Sequence, residues 1–352
     1  MASVAAYESL DELGQQILVN CALYQRHFTF ENVLNNLPYK VKKDKDGCKA
    51  SYESLKATGF MNADGDFSNV ANDWECDPTG LFVVYLKAEN DSIKTDSFAD
   101  KTVMDGILSK IPPEKVAEGH GLCGGTLYET YEDDLTPMFP LLQWHFNKAG
   151  DAEEEIKMAQ MSASVYSRSK NYVEASKMFE RVVELSSSVS FERYEAFDKA
   201  KHLAGWKVEL GEIYYMQGKI DKAKAIMEDA LGDMNCVVPT DNVKKLLNEL
   251  VKKHAWTVFK SKDSGPIDPK WDNTDNADIK CLGRLFIIAV LELNEARVIE
   301  IGVKLMDHFI SLNTPQGNAI ACFLGMILQN QSEKNKMLVK KVGLISRASF
   351  FS

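Results

Sequence analysis

From residue 152 onward, apolar positions recur every three or four residues in one stretch after another, the period of helices that bury a single face. Residues 155–185 place Ala163, Tyr166, Ala175 and Phe179 on two such stretches, with a turn at Lys170-Asn171. Residues 206–231 repeat the arrangement with Leu210-Gly211, Tyr214, Gly218, Ala223, Met227 and Ala230. The two sets share a register, because Tyr166 to Tyr214 and Ala175 to Ala223 are both 48 residues. A small residue on each helix of a hairpin lets the partner backbone approach, while the aromatic fills the adjoining gap. One hairpin cannot bury its apolar face alone, so the pattern predicts stacked hairpins. A helix over 242–259 and a hairpin over 280–312, with Gly283, Ala289 and Ala296 as small contacts, extend the expected stack. Between them, residues 261–276 hold Gly265-Pro266, Pro269 and several Asp, and read as a surface loop.

The first part of the chain has a different texture. Helical patterns over 10–24, 29–37 and 48–58 are followed by Gly59, which ends the third helix. Residues 60–67, with Asp64-Gly65 as a turn, then open a hairpin that the β-like run 81–86 completes. Three helices and a β-wing make a winged-helix-like domain. Residues 98–150 read as three helices, with Pro112-Pro113 opening the second and Pro137 and Pro140 early in the third, where proline is tolerated. The expected fold class is therefore mostly α: a small winged-helix-like domain over 1–97, connecting helices over 98–151 and a TPR-like α-solenoid over 152–336. A short C-terminal tail over 337–352 ends apolar and basic, as a loosely attached or anchoring peptide would.

Composition narrows the chemistry. Hydrophobic residues make up 45% and charged residues 26%, the values of a folding chain, and 352 residues point to two or three domains. Lys and Arg number 41 against 51 Asp and Glu, a formal charge of −10 that repels a phosphate backbone. The third helix carries Lys49 and Lys56 beside Glu53, with no Arg, Asn or Gln to read base edges, so the winged helix reads as a packing domain and nucleic acid is disfavoured. Lys40, Lys42, Lys43 and Lys45 are broken by Asp44 and Asp46, as in a solvated loop. Apolar stretches such as 285–291 are far shorter than the roughly 20 residues of a membrane span. Residues 1–9 lack the basic start and apolar core of a signal peptide, which predicts a cytoplasmic protein.

No catalytic, cofactor or metal site emerges. The seven cysteines are scattered without a C-x-x-C pair and read as reduced, buried thiols. A G-x-G-x-x-G match at Gly119, Gly121 and Gly124 follows a helix start at Pro112-Pro113 rather than a strand, so these glycines belong to a tight helix crossing. Gly218-Lys219 lacks the earlier glycine of a phosphate-binding loop. The six histidines show no paired ligand spacing, and G-x-S-x-G is absent. Glu153-Glu154-Glu155 opens a helix, where carboxylates complement the dipole.

Residues 140–151, Pro-Leu-Leu-Gln-Trp-His-Phe-Asn-Lys-Ala-Gly-Asp, carry a resemblance. This run, with Tyr172-Val173-Glu174-Ala175 and Phe179-Glu180-Arg181, resembles the region that follows the ATPase module in soluble (class III) adenylyl cyclases and related signalling ATPases. Phe28-Thr29, Val33-Leu34 and 55–60 resemble the winged-helix segment of that family. Asp100 stands where the family pattern has a histidine, and Tyr24-Gln25 where it has a glycine. The similarity spans residues 10–235 and is strongest over 140–231. It implies a C-terminal winged-helix and TPR-like region without the catalytic domains, which would lie before residue 1.

The expected function is a non-catalytic scaffold or adaptor that binds protein partners in the groove of its helical array, in a cyclase-associated or ciliary (cytoskeletal) assembly. The alternatives are a regulatory subunit or separated part of a nucleotidyl cyclase or signalling ATPase, and a winged-helix DNA-binding regulator.

Overall fold

Short polar side chains set where the first helices start. α1 (Val4–Glu8) and α2 (Glu12–Tyr24) are followed by α3 (Phe30–Asn36), at whose head Thr29 and Asn32 form a reciprocal capping box. After the single turn α4 (Tyr39–Lys42), the Asp44 carboxylate accepts from the Gly47 amide at 3.0 Å. That cap starts α5 (Lys45–Ala57) three residues before the expected position 48. In this computed structural model the described residues are 3–24, 28–62, 96–191, 199–242, 245, 246, 249 and 277–309, and they are mostly helical. They fall into two units, Met1–Phe191 and Glu192–Ser352.

In the first unit, β1 (Met61–Asn62) pairs antiparallel with β2 (Ser97–Phe98), and Phe28 bridges to Asp96 beside them. The turn expected at 64–65 and the strand expected over 81–86 lie outside the described residues. Asp100 caps α6 (Lys101–Leu108) by accepting from the Thr102 amide at 2.7 Å and the Val103 amide at 3.2 Å. Asp100 therefore holds a helix end here. Pro113 opens α7 (Pro113–Thr130), and a 3-10 turn at Thr136–Met138 leads into α8 (Phe139–Ala149). Gly150, at φ 72°, ends α8 in the left-handed conformation, and Asp151 caps α9 (Ala152–Arg168) directly after it. Lys170 at φ 60° and the Asn171 cap make the equally tight turn into α10 (Tyr172–Ser188).

α2 packs against α3, α5, α6 and α7, while α7, α8, α9 and α10 each pack on the next. One hydrophobic core runs through this unit from Ile17 and Phe28 through Tyr52, Phe60 and Phe98 to Leu127, Leu142 and Met158. The N-terminal helices, the strand pair and the connecting helices share it.

The second unit comprises α11 (Lys199–Met216), α12 (Ile220–Asp233), α13 (Ala277–Leu291) and α14 (Glu295–Phe309). Gly218, at φ 74°, turns α11 into α12. α13 packs against both helices of that hairpin, and α14 against α13. Val208, Met227, Leu231, Leu282, Leu285, Phe286, Ile299, Val303 and Leu305 belong to its core. Of the small contacts expected in the last hairpin, Ala289 is buried, but Ala296 is exposed and Gly283 has open space where a Cβ would stand. Large residues close this core, so small ones are not needed at those two places. Of the helix expected over 242–259, Lys245, Leu246 and Glu249 are helical, and its remainder, the 261–276 loop and the 337–352 tail lie outside the described residues.

Candidate functional site

The residues that carry the sequence repeat are interior. Ala163, Tyr166, Ala175 and Phe179 are buried between α9 and α10, and Leu210, Tyr214, Ala223, Met227 and Ala230 are buried around α11 and α12. A Cβ at Gly211 would stand 2.6 Å from the Met227 side chain, so the glycine sets how closely the two helices approach. These positions build the hairpins.

The buried charges are also internally matched. Glu155 accepts from Gln143 Nε2 at 3.1 Å, Asn147 Nδ2 at 3.0 Å, Arg181 Nε at 2.8 Å and Arg181 Nη2 at 3.3 Å. This network joins α8, α9 and α10. The Glu155 hydrogen bond holds the Arg181 guanidinium above its already high range. Asp96 accepts from Tyr52 Oη at 2.6 Å and pairs with Lys56 Nζ at 2.7 Å. Lys56, one of two cations expected on the face of the third helix, is thus directed into the fold. In the second unit, the buried Lys207 pairs with Asp229 at 2.6 Å and Asp233 at 2.5 Å.

α7 and α8 enclose a second feature. Gly119 and Gly124 lie in the middle of α7, where a Cβ would come within 2.5 Å of the Leu23 side chain and 3.0 Å of the Phe146 ring. This close approach brings His120 and His145 together, with their Nδ1 atoms 3.2 Å apart and both rings buried. Trp144 meets both rings edge-on at 5.0 and 4.8 Å, and Tyr24 meets His145 at 5.7 Å. Burial, and secondarily Lys148, pushes His120 down to about 4. Burial, and secondarily His120, holds His145 well below the usual imidazole range. Nearby Cys123 accepts from Asn36 Nδ2 at 2.9 Å, and burial pushes its thiol up to about 12. The histidines are 25 residues apart in sequence and meet only because a hairpin folds them together.

In the second unit, Met216 of α11, Ile287 and Leu291 of α13, and Leu293 just after it are exposed apolar residues. Glu209 of α11 pairs with Lys280 of α13 at 3.8 Å, and the next turn pairs Glu212 with Arg284 through Oε1 and Nε at 2.8 Å. Arg284 also lies over the Tyr215 ring, 4.0 Å from its centroid. Both pairs advance in the same direction, so the helices run parallel, and one turn further along them stand Met216 of α11 and Ile287 of α13. Beyond Leu291, Glu292 pairs with Lys224 of α12 at 2.8 Å. Met216 is 54% exposed, Ile287 42%, Leu291 61% and Leu293, in the turn after α13, 90%. Leu293, at φ 55°, makes with Asn294 the same tight turn as Lys170-Asn171, with the Asn294 N–H donating to the Ala289 carbonyl at 3.0 Å. On the α12 side, an open pocket of about 470 Å³ is lined by Glu228, Leu231, Gly232, Cys236, Val238 and Arg297, with Arg297 bonded to Glu228 at 3.1 Å.

Sequence periodicity placed Leu291 on a helix but not outside the core, since apolar spacing alone does not tell which of two apolar faces is covered. Among the described residues, no group of three or more His, Cys, Asp and Glu could hold a metal ion, and no helix is long and apolar enough to cross a membrane. No family model, curated protein or solved structure matches the chain.

Proposed function

We propose that the chain is a protein-binding scaffold or adaptor, and that the α11–α13 ridge of the second unit is a surface where a partner docks. The observation that carries this reading is that Met216, Ile287, Leu291 and Leu293 are all well exposed on, or just after, two packed parallel helices whose Glu209–Lys280 and Glu212–Arg284 pairs are satisfied within the chain. An apolar patch maintained on a surface otherwise neutralised by its own ion pairs is the mark of an interaction site. The parallel α11 and α13, with α12 between them in sequence, support a TPR-like solenoid in which the first helix of each hairpin lines the binding face. Helices α2, α3 and α5, ahead of the β1–β2 pair, support a winged-helix-like domain. Lys56 is held by Asp96, so the third helix favours internal packing over DNA. The reading assigns no catalytic step.

The resemblance of residues 140–231 to the repeat region of soluble adenylyl cyclases supplies the first partner class to seek: a nucleotidyl cyclase, a signalling ATPase or a component of a ciliary assembly. The test is a native-extract pull-down with the wild-type chain and with Met216→Glu/Leu291→Glu. The expected result is a defined partner set that the double variant loses, with cyclases or ATPases in it if the regulatory form of the reading holds. Equal capture by both proteins would contradict the docking surface.

A further inference from the structure

The buried His120–His145 contact lies inside the first unit, between α7 and α8. Two imidazole Nδ1 atoms 3.2 Å apart form a hydrogen bond only when one carries a hydrogen and the other does not. His145 is 0% exposed, and its Nε2 has no hydrogen-bond partner among the described residues, nor has the buried Trp144 Nε1. We propose that this pair is an acid-sensitive lock between α7 and α8, held by two neutral imidazoles and released when the pair takes up protons.

The surroundings leave an added proton without compensation. A first proton creates a buried cation, and a second puts a hydrogen on both Nδ1 atoms, which turns the contact repulsive. Lys148 of α8 is the charge acting on His120, and it has the wrong sign. From α2 the neighbouring titratable group is Tyr24, and from α7 it is Cys123, both held in their neutral forms by burial. α3 contributes the uncharged Asn36, bonded to Cys123. The carboxylate that α9 directs toward α8, Glu155, is occupied by Gln143, Asn147 and Arg181. Gly124 lets the Phe146 ring of α8 close on α7, where a Cβ would stand 3.0 Å from it, so the His120 and His145 rings have little slack to separate while these two helices stay packed.

The sign follows from linkage. The closed state binds protons only near or below pH 4, whereas an opened histidine binds them near its unperturbed value of about 6.5. Closure is therefore fully favourable above about pH 6.5 and weakens as pH falls toward 4. Hydrogen–deuterium exchange of the full chain from pH 7 to 4.5, expressed as protection factors, tests it. The expected result is that protection in α7 and α8 falls about tenfold per pH unit for each proton taken up, while α13 keeps its protection. His120→Gln/His145→Gln, which keeps polar side chains but removes both titrations, should lose that slope. Should this variant not fold, wild-type imidazole NMR decides: His120 and His145 should stay neutral at pH 5.5, where a free imidazole of pKa about 6.5 is mostly protonated. Pairwise titration near 6.5, unchanged α7–α8 protection at pH 4.5, or a folded variant that keeps the full slope would each overturn the lock.

Discussion

Ala175 and Ala223 show how far single residues can be read. Both were placed at close contacts by the repeat alone, and both are 0% exposed, each on the second helix of its hairpin. Leucine at either position has no room for its added carbons, so Ala175→Leu and Ala223→Leu should each destabilise the protein by about 1 to 3 kcal/mol. Lys177→Leu and Lys222→Leu, on exposed positions of the same helices, should shift stability by less than about 0.5 kcal/mol. Thermal melts of the four variants check this, and equal midpoints would mean that the alanines are not contact residues. Legibility was lost where contact partners lie far apart in sequence. The 25-residue separation of His120 and His145 gives no signal in a single sequence, and Cys123 with Asn36 gives none either. Ala296 shows the opposite limit, a small residue at helical spacing that faces solvent because its core is filled by Phe286 and Ile299.

At the scale of elements, capping chemistry made helix order legible and tertiary contact set the exact limits. Asp151 after Gly150 marks a break between α8 and α9 that can be read directly from the sequence. The early start of α5 at Lys45 depends on Asp44, which sits in a charged run that otherwise reads as solvated loop. The coupling of α8, α9 and α10 was not legible, since Glu155 in an acidic helix start looks like a dipole partner and is instead a buried carboxylate taken by three side chains. Glu155→Ala leaves Gln143 and Asn147 without their shared acceptor and the half-exposed Arg181 with Glu184 alone, and should cost about 1 to 3 kcal/mol. Chemical denaturation followed by far-UV circular dichroism measures it. A loss under about 1 kcal/mol would show that the network stabilises the three-helix junction no more than a surface pair does.

At the scale of the whole molecule, the mostly helical class was legible because helical periodicity persists over most of the chain. The candidate docking ridge was not. It depends on α11 and α13 packing together, which brings Met216 and Ile287 onto neighbouring helices although they lie about 70 positions apart. Nothing in the local pattern of α13 separates Ile287 and Leu291, which face out, from Leu285 and Ile288, which face in. The central claim is that a protein partner sits on that ridge, and site-specific photo-cross-linking tests it most directly. A photoreactive amino acid at Leu291 should yield a discrete cross-linked species in native extract, while the same group at Lys177 of α10 should not. Cross-linking of equal yield and identity at both positions, or none at Leu291, would contradict it.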